Sequence, residues 1–224
     1  MYIKYLYIFI LVCIIILVPY YDIYKSSLTE GFETKVKTIV LLGDSILKNN
    51  SYVTNGVDKQ LNESTDCEVV SLARDKTTIS HTYKQIDDIP KELNKDTTVL
   101  VLSAGGNDII EDYINGPYDA DENQSHINKV FGSYKLLVKE LRSKMDQSRI
   151  VLLDIYYPSN NQYKDFYPLI ENWNKLQSEY AAKNKDIVVK ISESLNQPQD
   201  FAFDIEPSDT GGKKIVEAIL SSIE

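Results

Sequence analysis

Gly43-Asp44-Ser45 presents a serine hydroxyl where a substrate could bind. The motif follows the apolar, β-branched run 36–42, which predicts a short buried strand. Glycine permits a sharp turn there, and ligands of open α/β sheets bind at the C-terminal ends of the strands. Ser45 is therefore a candidate site residue, although these residues also suit an ordinary turn followed by a helix N-cap.

A second polar loop, residues 103–108, follows another apolar run at 97–102. This loop is rich in small residues and contains Asn107, whose side-chain amide can donate hydrogen bonds. If both runs are strands of one parallel sheet, the two loops lie at the same edge. Asn107 is then a candidate partner of Ser45, or it closes its own loop through an Asx-turn.

Strand-like and helix-like segments alternate from residue 35 onwards. The predicted strands cover 36–42, 68–72, 97–102, 149–155 and 187–191, and the predicted helices cover 79–93, 124–145, 163–183 and 210–222. This alternation predicts a three-layer α/β/α sandwich built on a five-stranded parallel sheet.

The N-terminal segment has a different character. Residues 5–21 are apolar or aromatic without charge, close to the lower limit for spanning a bilayer, and tyrosines lie at both ends. We predict an N-terminal transmembrane helix, a single-pass signal anchor at 1–21, followed by a linker at 22–34 and a globular domain at 35–224. A cleaved signal peptide is the alternative, but no small-x-small cleavage site follows the run. Lysines on both sides leave the membrane orientation open.

The anchor predicts how the full-length protein behaves in membrane fractions. Because an apolar helix is held by the hydrocarbon core, the full-length chain is expected to stay in the pellet during carbonate extraction. Immunoblotting of the pellet and supernatant measures this. Release into the supernatant would contradict the anchor.

Charge and composition restrict the possible partners. The chain has 24 Lys and Arg against 33 Asp and Glu, a net charge of −9, which disfavours a nucleic-acid role. Its two cysteines lie in different segments, Cys13 in the predicted anchor and Cys67 in the domain, so they are not expected to pair. No cysteine or histidine cluster has metal-ligand spacing, and no metal or cofactor is expected.

The motifs and a terminal loop at 204–207 resemble those of the SGNH (GDSL-type) hydrolases, over about residues 35–224. The resemblance implies a flavodoxin-like sheet and Ser45 as the nucleophile. It also implies ester substrates, such as lipids, acetylated glycans or small esters.

The resemblance further implies a set of donors to the oxyanion. Asn107 matches the family's asparagine, and Lys76 stands where the family has a glycine whose backbone N–H donates. A backbone N–H survives this replacement provided that φ is not strongly positive. The Ser45 N–H is a further candidate, and Gly105 would let the backbone bend so that Asn107 faces Ser45.

The last motif departs from the family, which has Asp-x-x-His-Pro. Aligning Pro207 puts Glu206 where the histidine belongs and leaves the Asp204 carboxylate displaced by one position. Three interpretations follow: Glu206 or Asp204 is the base; His81 is the base; or the domain no longer catalyses. A free glutamate is a weaker base than histidine, but burial raises a carboxyl pKa and recovers part of the difference.

The leading hypothesis from sequence is a membrane-anchored serine ester hydrolase that forms an acyl-enzyme on Ser45. A non-catalytic binding or structural module on the same fold is one alternative. The other is an O-acyltransferase, in which a sugar hydroxyl replaces water.

Overall fold

The computed structural model describes residues 35–115 and 120–223. The strands of its main sheet are β1 Thr38–Gly43, β2 Glu68–Ser71, β3 Thr98–Ser103, β4 Arg149–Leu153 and β5 Ile187–Val189. The helices are α1 Ser45–Lys48, α2 Val57–Ser64, α3 Ile79–Asp87, α4 Gly106–Asn115, α5 Ala120–Lys144, α6 Tyr167–Asn184, α7 Ile191–Ser194 and α8 Asp209–Ile223. Short 3₁₀ turns cover Lys91–Leu93, Asn161–Phe166 and Pro198–Asp200, and a small hairpin pairs β6 Phe201–Ala202 with β7 Glu206–Pro207.

The five strands are parallel in the order β2-β1-β3-β4-β5, which confirms the predicted five-stranded α/β sheet. From β1 the chain first goes to β2 on one side and then returns to β3 on the other. The strand order therefore reverses between β1 and β3, where the last residues, Gly43 and Ser103, pair with each other. Doubly wound sheets bind their ligands at such a reversal.

Hydrophobic layers cover both faces of the sheet. Alternate residues of β1 and β3, such as Val40 and Leu100, pack into the cluster that contains Trp173 of α6. The residues between them, such as Ile39 and Val99, pack into the other cluster with α8. Because both faces are buried, these strands are continuous apolar runs in the sequence.

Two glycines allow the close approaches at the reversal point. Gly43 has φ +120°, and a Cβ built there would lie 1.6 Å from the carbonyl oxygen of Ser103. Gly105 has φ +108°, and its Cβ would lie 2.3 Å from the Trp173 ring. A side chain at either position would meet both steric overlap and an unfavourable backbone conformation, so the loops after β1 and β3 depend on glycine.

Several elements differ from those predicted. Helix α3 ends at Asp87 rather than Leu93, because Pro90 lacks a donor and cannot continue a helix. The predicted helix 163–183 is a 3₁₀ turn followed by α6, with Pro168 at its start. Helices α2 and α4 and the β6–β7 hairpin were not predicted.

The predicted anchor and linker, residues 1–34, lie outside the described residues, so both stay predictions. Within 35–115 and 120–223, no helix is both long and apolar enough to cross a bilayer.

Candidate active site

A pocket opens beside the C-terminal ends of β1 and β3, with a cavity of about 80 Å³. Its polar lining includes Ser45, Asn107 and Glu206, which come from three distant parts of the chain. Its remaining wall is largely apolar and comes from α4, the segment after β4, and the start of α6. The fold thus brings a hydroxyl, an amide and a carboxyl to one small cavity.

Ser45 lies at the first turn after β1 and is 6% exposed. The preceding Asp44 caps this turn, because its Oδ1 accepts a hydrogen bond of 3.1 Å from the Ile46 N–H. Gln85 of α3 holds the strand end from the other side. Its Oε1 accepts from the Gly43 N–H at 2.6 Å, and its Nε2 donates to the Gly43 carbonyl at 2.9 Å. These contacts fix the backbone that carries Ser45.

Glu206 reaches the pocket from the β6–β7 hairpin. Asn49, just after α1, donates from Nδ2 to the Pro207 carbonyl at 2.6 Å, and the Tyr156 hydroxyl donates to the Ile205 carbonyl. Both residues beside Glu206 are therefore tied to the segments that line the pocket. The hairpin is positioned by these long-range contacts rather than by its own two-residue strands.

The Glu206 carboxyl is half-buried, and its Oε2 has no hydrogen-bond partner among the described residues. Burial raises its pKa, a side-chain hydrogen bond from Ser45 lowers it, and the nearby Asp75 carboxylate raises it further. The net shift is upwards. Ser45 thus shares its pocket with a carboxylate that is more basic than a free glutamate.

Asn107 lies on the first turn of α4 and lines the same pocket as Ser45. Its Nδ2 donates to the Thr77 carbonyl at 2.8 Å, which fixes the orientation of the amide. An NH₂ group carries two hydrogens, so this bond leaves one donor for a ligand.

The proposed oxyanion role of Asn107 predicts the result of its removal. Asn107→Ala is expected to lower kcat by about 10²-fold with little change in KM, because the developing oxyanion exists only in the transition state. Steady-state kinetics on a p-nitrophenyl ester measures this. Asn184→Ala is the matched control, since that amide also bonds a backbone carbonyl but lies outside the pocket. Equal effects of the two changes would contradict the role.

Four other predicted site residues, Lys76, Asp204, His81 and Gly105, do not line the pocket. The Lys76 side chain is exposed, and its φ is +60°. This positive φ does not meet the condition stated above for its backbone N–H to replace that of the family's glycine. Asp204 is exposed at the turn of the β6–β7 hairpin, with φ +68°. His81 is exposed on α3, with Nδ1 2.9 Å from the Thr78 hydroxyl. Gly105 has φ +108° and packs against the Trp173 ring.

Sequence reasoning missed two buried polar groups of this site. Gln85 lies beside apolar Ile86 on an amphipathic helix, and nothing in the pattern marks it as a clamp on Gly43. Asp44 was considered only as part of the Gly-Asp-Ser turn, yet it is 4% exposed and lines the pocket. Within the described residues, no group of three or more His, Cys, Asp or Glu side chains could hold a metal ion.

The strand order and the pocket at its reversal point define a flavodoxin-like α/β protein with a polar site at the carboxyl edge of the sheet. Residues 27–214 match the GDSL-like lipase/acylhydrolase family, and the chain belongs to that family. This confirms the resemblance found in the sequence and supports an ester-cleaving hydrolase.

Solved structures with the same fold are similar at low sequence identity. A lipase from a goat rumen metagenome has a TM-score of 0.65 at 16% identity, covering 84% of this chain and 100% of that one. A GDSL-like lipase from Bacteroides thetaiotaomicron VPI-5482 has a TM-score of 0.62 at 17% identity, covering 84% and 87%. An acetyl xylan esterase has a TM-score of 0.60 at 16% identity, covering 84% and 100%. The comparison with curated proteins gave no match.

Proposed function

We propose that this protein is a serine ester hydrolase in which Ser45 attacks an acyl carbonyl and Glu206 accepts the serine proton. The observation that carries the proposal is that Ser45, Asn107 and Glu206, from three distant parts of the chain, line one small pocket. Membership of an acylhydrolase family supports the same reaction class.

In this proposal, Glu206 is the general base and stands where the family has a histidine. A serine hydroxyl is a poor nucleophile until an adjacent group takes its proton. Because burial and Asp75 raise the Glu206 pKa, this carboxylate holds a proton better than a free glutamate does. Asn107 then donates its remaining hydrogen to the oxyanion of the tetrahedral intermediate.

The test is turnover of p-nitrophenyl butanoate by the full-length protein, followed by release of the coloured phenol. We expect turnover that saturates with substrate and that falls at acidic pH, because protonated Glu206 cannot accept the serine proton. Rates equal to those of buffer alone would contradict the function and favour a non-catalytic module.

The apolar wall of the pocket points to the acyl part of the substrate. Ile109, Phe166 and Ile170 line the pocket and are 2%, 8% and 5% exposed, respectively. An acetyl group would leave much of this wall without contacts, whereas a longer acyl chain would cover it. We therefore propose esters of short apolar acyl groups, rather than acetyl esters, as the preferred substrates.

This preference predicts how the rate depends on acyl length. Each buried methylene is worth about 0.8 kcal/mol, so kcat/KM is expected to rise roughly tenfold from p-nitrophenyl acetate to the butanoate. Ile110→Phe, at a half-buried position of the lining, is expected to remove most of this gain while retaining acetate turnover. Leu136→Phe is the control, because Leu136 is 62% exposed and outside the pocket lining. A rate on acetate that equals or exceeds the rate on butanoate would favour acetylated substrates instead.

A further inference from the structure

Asp44 is a buried carboxyl of the pocket that the reaction described above does not use. It is 4% exposed, immediately precedes Ser45, and lines the same pocket as Ser45 and Glu206. A capping side chain that only closes a helix turn does not need to face a substrate cavity. Asp44 is therefore a second acidic residue in the pocket that contains Ser45 and Glu206.

The hydrogen bonds of Asp44 distinguish its two oxygens. The Ile46 N–H donates to Oδ1 at 3.1 Å, and the Ser103 hydroxyl donates to the same Oδ1 at 2.7 Å. Among the described residues, no donor is directed at Oδ2. Oδ1 is thus occupied as an acceptor, which leaves Oδ2 as the oxygen that can carry a proton.

The charged groups that face Asp44 are of one sign. Glu206 of β7 and Asp108 of α4 both disfavour its ionisation, and the phenol of Tyr156, after β4, is neutral because burial raises its own pKa. The salt bridges among the described residues do not involve Asp44. Burial is the largest cause that raises the pKa of Asp44, to about 7, against the opposing bonds from Ser103 and Ile46.

Two carboxyls in unlike environments can divide acid and base work. After Glu206 has taken the serine proton, the leaving alkoxide still needs a proton. We infer that Asp44 is the general acid of this site and gives the proton on Oδ2 to the leaving-group oxygen. The inference rests on the proposed function, because it assigns a second role within the same reaction.

The proton balance closes over both half-reactions. In acylation, the Ser45 Oγ–H bond breaks as the C–O bond to the substrate forms, and that proton goes to Glu206. The ester C–O bond then breaks, and the leaving oxygen takes the Asp44 proton. In deacylation, water attacks the acyl carbon and gives a proton to the Asp44 carboxylate. Ser45 Oγ leaves with the proton from Glu206, which restores both groups.

Esters that share an acyl group but differ in leaving group test this role. Ethyl butanoate expels an alkoxide that needs a proton, whereas p-nitrophenyl butanoate expels a stable anion. Asp44→Asn keeps an oxygen that can cap the turn but loses the acid. In the full-length protein, we expect kcat/KM for the ethyl ester to fall about 10²-fold or more. The factor by which kcat/KM falls for the p-nitrophenyl ester should be at least tenfold smaller.

A second variant tests the same acid role if Asp44→Asn does not fold. Ser103→Ala removes a bond that lowers the pKa of Asp44, so the acid form persists to higher pH. The alkaline limb of kcat/KM for ethyl butanoate is then expected to move to higher pH.

Equal losses on the two esters in Asp44→Asn would overturn the acid role and leave only a structural one. An alkaline limb that stays in place or moves to lower pH in Ser103→Ala would do the same. Absence of Ser45-dependent turnover of either ester by the unaltered protein would overturn the proposed function, and this inference with it. Ser45-dependent turnover with equal losses overturns the inference alone.

Discussion

Ser45→Ala is expected to lower kcat/KM for p-nitrophenyl butanoate by at least about 10³-fold, the largest effect of any single change. The methyl group cannot form an acyl-enzyme, so only the remaining donors and binding contacts assist the attack of water. Because Ser45 follows a turn fixed by Gln85 and capped by Asp44, alanine is expected to leave the fold intact. Initial rates on the purified full-length variant measure the loss.

The control for this change is a serine outside the site. Ser80 is exposed on α3, and its hydroxyl bonds that of Thr78 at 3.0 Å, so Ser80→Ala removes a hydroxyl without touching the pocket. Its turnover should match that of the unaltered protein. Persistence of full turnover in Ser45→Ala would exclude Ser45 as the nucleophile.

Glu206→Gln is expected to produce the second-largest loss, about 10²-fold or more in kcat/KM. The amide has nearly the same shape but cannot accept the serine proton. The direction in which activity changes with pH follows from the shift of the Glu206 pKa. The Glu206 pKa is raised by burial and by Asp75, so activity of the unaltered protein falls as the pH drops through a value above that of a free glutamate. Kinetics as a function of pH measure both the loss and the acidic limb.

Two variants separate Glu206 from the alternatives. His81→Ala should retain turnover, because His81 is exposed on α3 and bonds to Thr78 rather than lining the pocket. Asp75→Asn should move the acidic limb to lower pH, since it removes a charge that raises the Glu206 pKa. If His81→Ala abolishes activity while Glu206→Gln does not, the choice of base is wrong.

The sequence predicts the parts of this site that depend on strand ends. The apolar runs at β1 and β3 are long and continuous, and parallel strands place the loops that follow them at one edge. Ser45 and Asn107 therefore meet for a reason that is visible in the sequence. The family resemblance adds Glu206, whose place in the last motif no local pattern would have marked.

The sequence does not predict how Glu206 reaches Ser45. The β6–β7 hairpin is too short to produce a strand pattern, and its position depends on Asn49 and Tyr156, which are distant along the chain. Likewise, Gln85 looks like a surface residue on an amphipathic helix until it is seen bonding both backbone groups of Gly43. Contacts of this kind are set by tertiary packing, not by spacing.

The prediction that Asp204 lies in the site with Glu206 relied on their proximity in the sequence. Asp204 is two residues from Glu206, but a left-handed turn with positive φ at Phe203 and Asp204 leaves its side chain exposed. Helix α4 was not predicted from the sequence, because its first turn contains Gly106 and Asn107, which are poor helix formers.

The most direct test of the central claim is covalent trapping of the nucleophile. The full-length protein would be treated with an alkyl p-nitrophenyl phosphonate, which forms a stable adduct with an activated serine, and the adduct would be located by tandem mass spectrometry. A single adduct on Ser45, formed more slowly in Glu206→Gln, is the predicted result. An adduct on another residue, or ester turnover with Ser45 unmodified, would contradict it.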